Sequence, residues 1–229
     1  LGKLIAMKPF HAIVLILLGL VSSAWAADAA PAHVRTIYLI RHGAYDMAEQ
    51  PGDETTAYGL TPLGIAEARL VAARLRGLPV VFTSLTSSTL TRARQTADVI
   101  NQSLPQLKHV TDPLLCECTP RTENDTSAQP NDSEKQLDQA FAKYFVPGTA
   151  PGQCDILVCH GNVIRYFVMK PLGMDAQAWT GFNVALCSLM IIQIRPDGTC
   201  SVLSIGDTGH IPPNLLGGQS THDPLLVVP

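Results

Sequence analysis

The chain has 229 residues, 46% of them hydrophobic and 15% charged, and 16 Lys and Arg stand against 19 Asp and Glu for a formal charge of −3. That is the composition and size of one globular domain, or at most two small ones, and it excludes a globally disordered chain. No basic surplus is present to neutralise a phosphate backbone, which argues against a nucleic-acid binder.

Residues 7–26 carry Lys8, an apolar run from Ala12 to Val21, and the small-residue box Ala24-Trp25-Ala26. This is the three-part pattern of a secretory signal peptide, with an uncut anchor as the alternative. The apolar run is short for a spanning helix, which needs roughly 20 residues. Leu1–Ala6 reads as an extension upstream of Met7. The expectation is a periplasmic or secreted protein, or one anchored and facing the periplasm, with no membrane span after cleavage. One folded domain is expected over 34–213, followed by a tail over 214–229.

Val34–Ile40 is β-branched, aromatic and apolar, which predicts a buried strand ending at Arg41-His42-Gly43. Residues 44–60 are irregular and polar. Thr61 as N-cap and Pro62 at the first helical position open a helix that Gly77 and Pro79 end. Its expected apolar face is Leu63, Ala66, Leu70, Ala73 and Leu75. A short strand is predicted at Val80–Thr83, a helix from Ser88 to Leu104, and a third strand near Lys108–Thr111. Residues 119–134 hold no large apolar side chain and predict a loop. An amphipathic helix follows over Glu134–Phe145, then a strand at Asp155–Cys159 ending at His160-Gly161, and a helix over Val163–Leu172. Leu186–Ile194 and Cys200–Ile205 predict a hairpin about Pro196-Asp197-Gly198. Strands alternating with helices give an α/β fold with a mainly parallel central sheet flanked by helices, and an antiparallel C-terminal hairpin.

Six cysteines allow 15 disulfide pairings, and free buried thiols are an equal alternative. No Cys-x-x-Cys pair supports a metal site, and none is expected.

Two strands end alike, in Arg41-His42-Gly43 and Cys159-His160-Gly161. Ligands of open α/β sheets bind at the carboxyl ends of strands, so both histidines stand where a site is expected. The glycine after each lets the backbone turn and come close to a ligand. Ser87 through Thr96 opens a helix after a strand, and Arg92 in it could fork onto two phosphate oxygens.

Four segments in this order resemble the histidine phosphatases, also called the phosphoglycerate-mutase superfamily. They are Leu39–Gly43, Leu60–Gly64, Thr83–Thr96 and Cys159–Tyr166. The resemblance runs from Thr36 to Pro213. Its nearest likeness is the mitochondrial protein Ser/Thr phosphatase branch, carried by Asn162–Tyr166, Gly206-Asp207-Thr208-Gly209 and Pro212-Pro213. The resemblance implies a phosphoglycerate mutase-like fold and His42 as a nucleophile that becomes phosphohistidine. It also implies a phosphate pocket of Arg41, Arg92 and His160, and Glu117 as the acid for the leaving oxygen. Gly43 and Asn162 join the substrate contacts, and no cofactor is implied. Arg165 reads as structural.

The chemistry is consistent with these roles. Imidazole is nucleophilic when neutral, and flanking arginines favour the neutral form while stabilising transferred charge. The expected function is an exported, metal-independent phosphomonoesterase whose partner is a phosphorylated substrate, a phosphoprotein or a small phosphate ester. The alternatives are a phosphoglycerate-type mutase and an inactive phosphate-binding envelope module. Ala44-Tyr45-Asp46-Met47-Ala48 lacks the pattern that mutases carry after Arg-His-Gly. Loop 119–134 holds a single base, Arg121, which is few for a heavily phosphorylated substrate. Oligomeric state is not readable from these residues.

Overall fold

A computed structural model describes residue 2 and residues 32–46, 52–122, 124–127, 129–181 and 183–216. The chain divides into a unit of residues 1–30, of which Gly2 alone is described, and a unit of residues 31–229 that carries every element below. Apart from Gly2, the predicted leader over 1–26 lies outside the described residues, as does the predicted tail beyond its first three residues, 214–216. Among those described, no helix is long and apolar enough to cross a membrane.

The first strand, β1 (Arg35–Arg41), alternates its side chains between two cores. Ile37 and Leu39 enter one cluster; Tyr38 and Ile40 enter the other. Helices α1 (Pro62–Arg76) and α2 (Thr91–Ser103) cover the second cluster. Helices α3 (Asp132–Tyr144) and α4 (Gly161–Met169) cover the first. Between them lie β2 (Ser84–Ser87), β3 (His109–Thr111), β4 (Gln153–Cys159), β5 (Leu189–Ile194) and β6 (Cys200–Asp207), in the order β3-β2-β4-β1-β5-β6. The first four strands of that order run parallel, and β5 and β6 are antiparallel. The predicted fold class is therefore the observed one.

Four local expectations shift. The buried side of α1 is Gly64, Glu67, Ala68, Val71, Ala72 and Leu75, while Ala73 is exposed. A glycine and a glutamate on the core side hide the true face from a hydrophobic pattern. Glu67 is tolerated there because its Oε2 accepts the Ala44 N–H at 2.8 Å. The strand expected at Val80–Thr83 lies four residues later, at Ser84–Ser87, and Val81 is 79% exposed. Its polar residues can be buried because distant partners satisfy them: Ser84 Oγ donates to Asp155, and Ser87 Oγ meets His109 Nε2 at 2.8 Å. Helix α2 likewise begins at Thr91, three residues beyond the predicted start. Helix α3 begins at Asp132, where Asn131 and Glu134 form a reciprocal capping box.

This topology positions the site. Strands β1 and β4 are neighbours with Arg41 opposite Cys159, so the next residues, His42 and His160, stand side by side. Strand β2 lies against the other side of β4 and delivers Ser88 to the same edge. The loop after β1 rests on α1 backbone. A Cβ at Gly64 would lie 1.9 Å from the Ala44 carbonyl oxygen, and one at Gly43 would lie 2.6 Å from that of Gly64. The close approach expected of Gly43 is thus to α1. A Cβ at Gly161 would make only ordinary contact, 3.6 Å from Arg41 Cζ.

Candidate active site

His42 is buried, and its Nδ1 lies 2.9 Å from the Gly43 carbonyl oxygen. That carbonyl can only accept, so Nδ1 carries the proton and Nε2 presents its lone pair. Arg92 Nε donates to that Nε2 at 3.3 Å. Burial, then Arg41, then Arg92 hold His42 well below the usual histidine range against the opposing Gly43 bond, so the ring is neutral at pH 7.

The His160 ring centroid stands 5.0 Å from that of His42. Its Nε2 lies 2.8 Å from Ser88 Oγ, and its Nδ1 is buried with no hydrogen-bond partner in the protein. Burial, His42 and the two arginines keep it neutral as well. Ser88 Oγ also accepts the Leu90 N–H at 3.1 Å and lies 3.4 Å from Cys116 Sγ, to which it donates.

Arg41, at the end of β1, donates Nη1 to the Val184 carbonyl, and its buried Nε has no partner. Arg92 lies in the first turn of α2, buried, with its guanidinium 4.8 Å from the Tyr45 ring centroid. Glu117 Oε1 accepts N–H bonds from Cys118 at 3.2 Å and Asn162 at 3.3 Å. Burial raises its pKa above the ordinary carboxyl value despite those bonds and the arginines. Asn162 is occupied in the same corner, its Nδ2 donating to the Cys118 carbonyl and its Oδ1 accepting from Arg165. Gly43 donates its N–H to Thr96 Oγ1 at 3.0 Å, so it serves this site through its carbonyl. All six cysteines are free thiols.

The geometry therefore gathers His42, Arg41, Arg92, His160 and Glu117 at one edge of the sheet. The buried Arg41 Nε–H and His160 Nδ1, both without partners and with guanidinium charge around them, suit a tetrahedral oxyanion. A cleft of about 410 Å³ opens onto this edge, lined by Tyr45, Glu54, Tyr58, Arg92 and Glu117. Sequence reasoning missed Glu54 and the tyrosines, because they belong to the polar stretch 44–60 that shows no periodicity. It also missed the orienting contacts of Ser88 and Thr96, although both lie inside the recognised motif.

The sequence matches the family model of the histidine phosphatase superfamily (branch 1) over residues 37–152 and 145–208. It is 37% identical over 191 residues to the mitochondrial serine/threonine-protein phosphatase Pgam5 of Caenorhabditis elegans, covering 79% of this chain and 65% of that protein. It is 32% identical over 190 residues to mitochondrial PGAM5 of Homo sapiens, with the same coverages of 79% and 65%. The chain thus spans about 65% of the length of these relatives. Among solved structures, Bacillus stearothermophilus YhfR aligns with a TM-score of 0.61 at 18% identity, covering 78% of this chain and all of that one. Plasmodium falciparum phosphoglycerate mutase aligns with a TM-score of 0.54 at 21% identity, covering 83% and 97%. These structures share the fold. The mitochondrial relatives overturn the expectation of a periplasmic, secreted or periplasm-facing protein. A basic flank before a short apolar run is compatible with more than one targeting route, so composition did not select the compartment.

Proposed function

The chain belongs to the histidine phosphatase superfamily, and from that premise we propose that it is a metal-independent phosphomonoesterase working through phosphohistidine at His42. The observation that carries this reading is the His42 tautomer. Its Nδ1–H is held by Gly43, so its Nε2 carries the lone pair, which accepts from Arg92 Nε at 3.3 Å until a phosphoryl group takes that place.

In the first step His42 Nε2 attacks phosphorus and the P–O ester bond breaks. The departing oxygen takes the proton of Glu117, whose burial favours the protonated form. Arg41, Arg92 and the Nδ1–H of His160 hold the equatorial oxygens, whose charge must be neutralised throughout. In the second step water attacks the phosphohistidine and gives its proton to the Glu117 carboxylate. The P–N bond breaks, phosphate leaves, and His42 returns to its neutral tautomer. The names of the relatives support a phosphorylated serine or threonine as the substrate group.

The test is hydrolysis of an aryl phosphate in the presence of a chelator, with rapid-quench trapping of an acid-labile phosphoenzyme. Chelator-resistant turnover with a trapped intermediate that is absent in His42→Ala is expected. A folded, phosphate-binding protein without turnover would instead establish a binding module.

A further inference from the structure

Glu54 stands at the mouth of the cleft with its backbone tied to α2. Its carbonyl accepts the Thr91 N–H at 2.9 Å and the Thr91 hydroxyl at 3.1 Å. Its Oε2 lies 2.5 Å from Arg92 Nη1, and its side chain is 48% exposed. Arg92 is the sole cation among the described residues lining the cleft, against the two carboxyl groups of Glu54 and Glu117.

Arg92 has two claims on it. Without substrate, Nη1 is paired with Glu54 while Nε reaches His42. A phosphoryl group at His42 Nε2 is a dianion within reach of the same guanidinium and draws the fork to itself. Glu54 then loses its cation, and its backbone bonds to Thr91 prevent it from leaving the mouth. The carboxylate faces whatever part of the substrate lies outside the phosphate pocket. A second anion there meets like charge at short range, whereas a cation restores the pair that the phosphate broke.

We propose that Glu54 is a specificity residue that selects phosphate esters with a neighbouring cation, as in a phosphoserine or phosphothreonine flanked by arginine or lysine. By the same charge it rejects esters carrying a second anion. This deepens the phosphomonoesterase reading and rests on it.

The experiment compares kcat/KM of the full chain on two phosphoserine peptides identical except for arginine or glutamate flanks, with an aryl phosphate as reference. The arginine-flanked peptide is expected to be favoured about tenfold, the scale of a partly exposed charge contact made and a repulsion avoided. Glu54→Gln should bring the ratio close to one, and Glu54→Lys should invert it. The ratio cancels any change that these substitutions cause at Arg92. A ratio unchanged in Glu54→Gln, or a wild-type preference for the glutamate-flanked peptide, overturns the proposal. If the aryl phosphate is not hydrolysed, the proposed reaction falls instead. The two peptides are then compared by calorimetric binding, where the same preference and the same loss in Glu54→Gln are required.

Discussion

His42 and His160 end adjacent parallel strands and are each followed by glycine, yet the fold presents them by opposite nitrogens. His42 is anchored through Nδ1 to the carbonyl of its own neighbour, which leaves the Nε2 lone pair to Arg92. His160 is anchored through Nε2 to a hydroxyl 72 residues away, which leaves Nδ1 without a partner. In the proposed reaction the same side chain serves as nucleophile at one position and as oxyanion ligand at the other, according to which nitrogen each partner occupies. A histidine at a strand end is therefore read by its second partner and not by its motif alone.

The largest expected effect breaks the comparison outright. His42→Ala should lower kcat by about four orders of magnitude or more and abolish the trapped phosphoenzyme, as loss of a nucleophile does. His160→Ala should cost about 10²–10³-fold, the scale of one lost oxyanion donor, and still form the phosphoenzyme slowly. Equal losses of phosphoenzyme in the two variants would erase the distinction.

Glu117 sharpens it, since the acid serves the His42 reaction from the His160 side through the Asn162 N–H. Glu117→Gln should reduce hydrolysis of alkyl phosphates by about 10²–10³-fold and that of an ester with a good leaving group far less. The acid must be protonated, and burial raises its pKa, so activity persists above the ordinary carboxyl range and falls as pH rises through the raised value. A pH–rate profile of Glu117→Gln should lack this alkaline fall on the alkyl ester.

Ser88 tests the tautomer itself. Ser88→Ala should cost about tenfold in kcat, and Ser88→Thr should restore most of it because the hydroxyl is kept. Nitrogen NMR of His160 gives the decisive signature: Nδ1–H in the wild type, and a population of Nε2–H in Ser88→Ala. A wild-type His160 found as Nε2–H would remove the distinction between the two rings.

A separate effect, on stability and not on rate, lies beneath His42, where Glu67 holds the Ala44 N–H much as Glu117 holds that of Asn162 after His160. Burial raises Glu67 to about 7, above its ordinary value of 4.5. A raised carboxyl pKa means the folded state holds the proton more tightly than the unfolded state does. Its favourable contribution is complete below about pH 4.5 and is lost as pH rises through about 7. Between those limits wild type should lose about 3 kcal/mol of stability from this group. Glu67→Gln keeps an acceptor for the Ala44 N–H and should show no such loss in denaturant titrations from pH 4 to 8.

Much of the architecture was legible in local residue order. Strand-forming runs, the Thr61-Pro62 helix start and the Pro196-Asp197-Gly198 turn act over a few residues, so they survive without tertiary context. The family motifs likewise placed His42, Arg92 and His160 correctly on strand ends and a helix start. Other features were not legible. Glu67 shows no place in an apolar face until the Ala44 N–H is brought to it, and the strand falls on Ser84–Ser87 and not on Val80–Thr83 because Asp155 and His109 satisfy its hydroxyls. The basic and apolar leader-like segment also fitted the wrong compartment.

Sequence by itself determined the α/β alternation, the family and the residue types of the candidate site. Tertiary structure alone decided which nitrogen of each histidine is anchored to Gly43 or Ser88, which face of α1 is buried, and that Glu54 stands at the cleft mouth. Those properties depend on hydrogen bonds and strand register between residues tens of positions apart. Such partners leave no local periodicity, and they exist only once β1, β2 and β4 lie side by side.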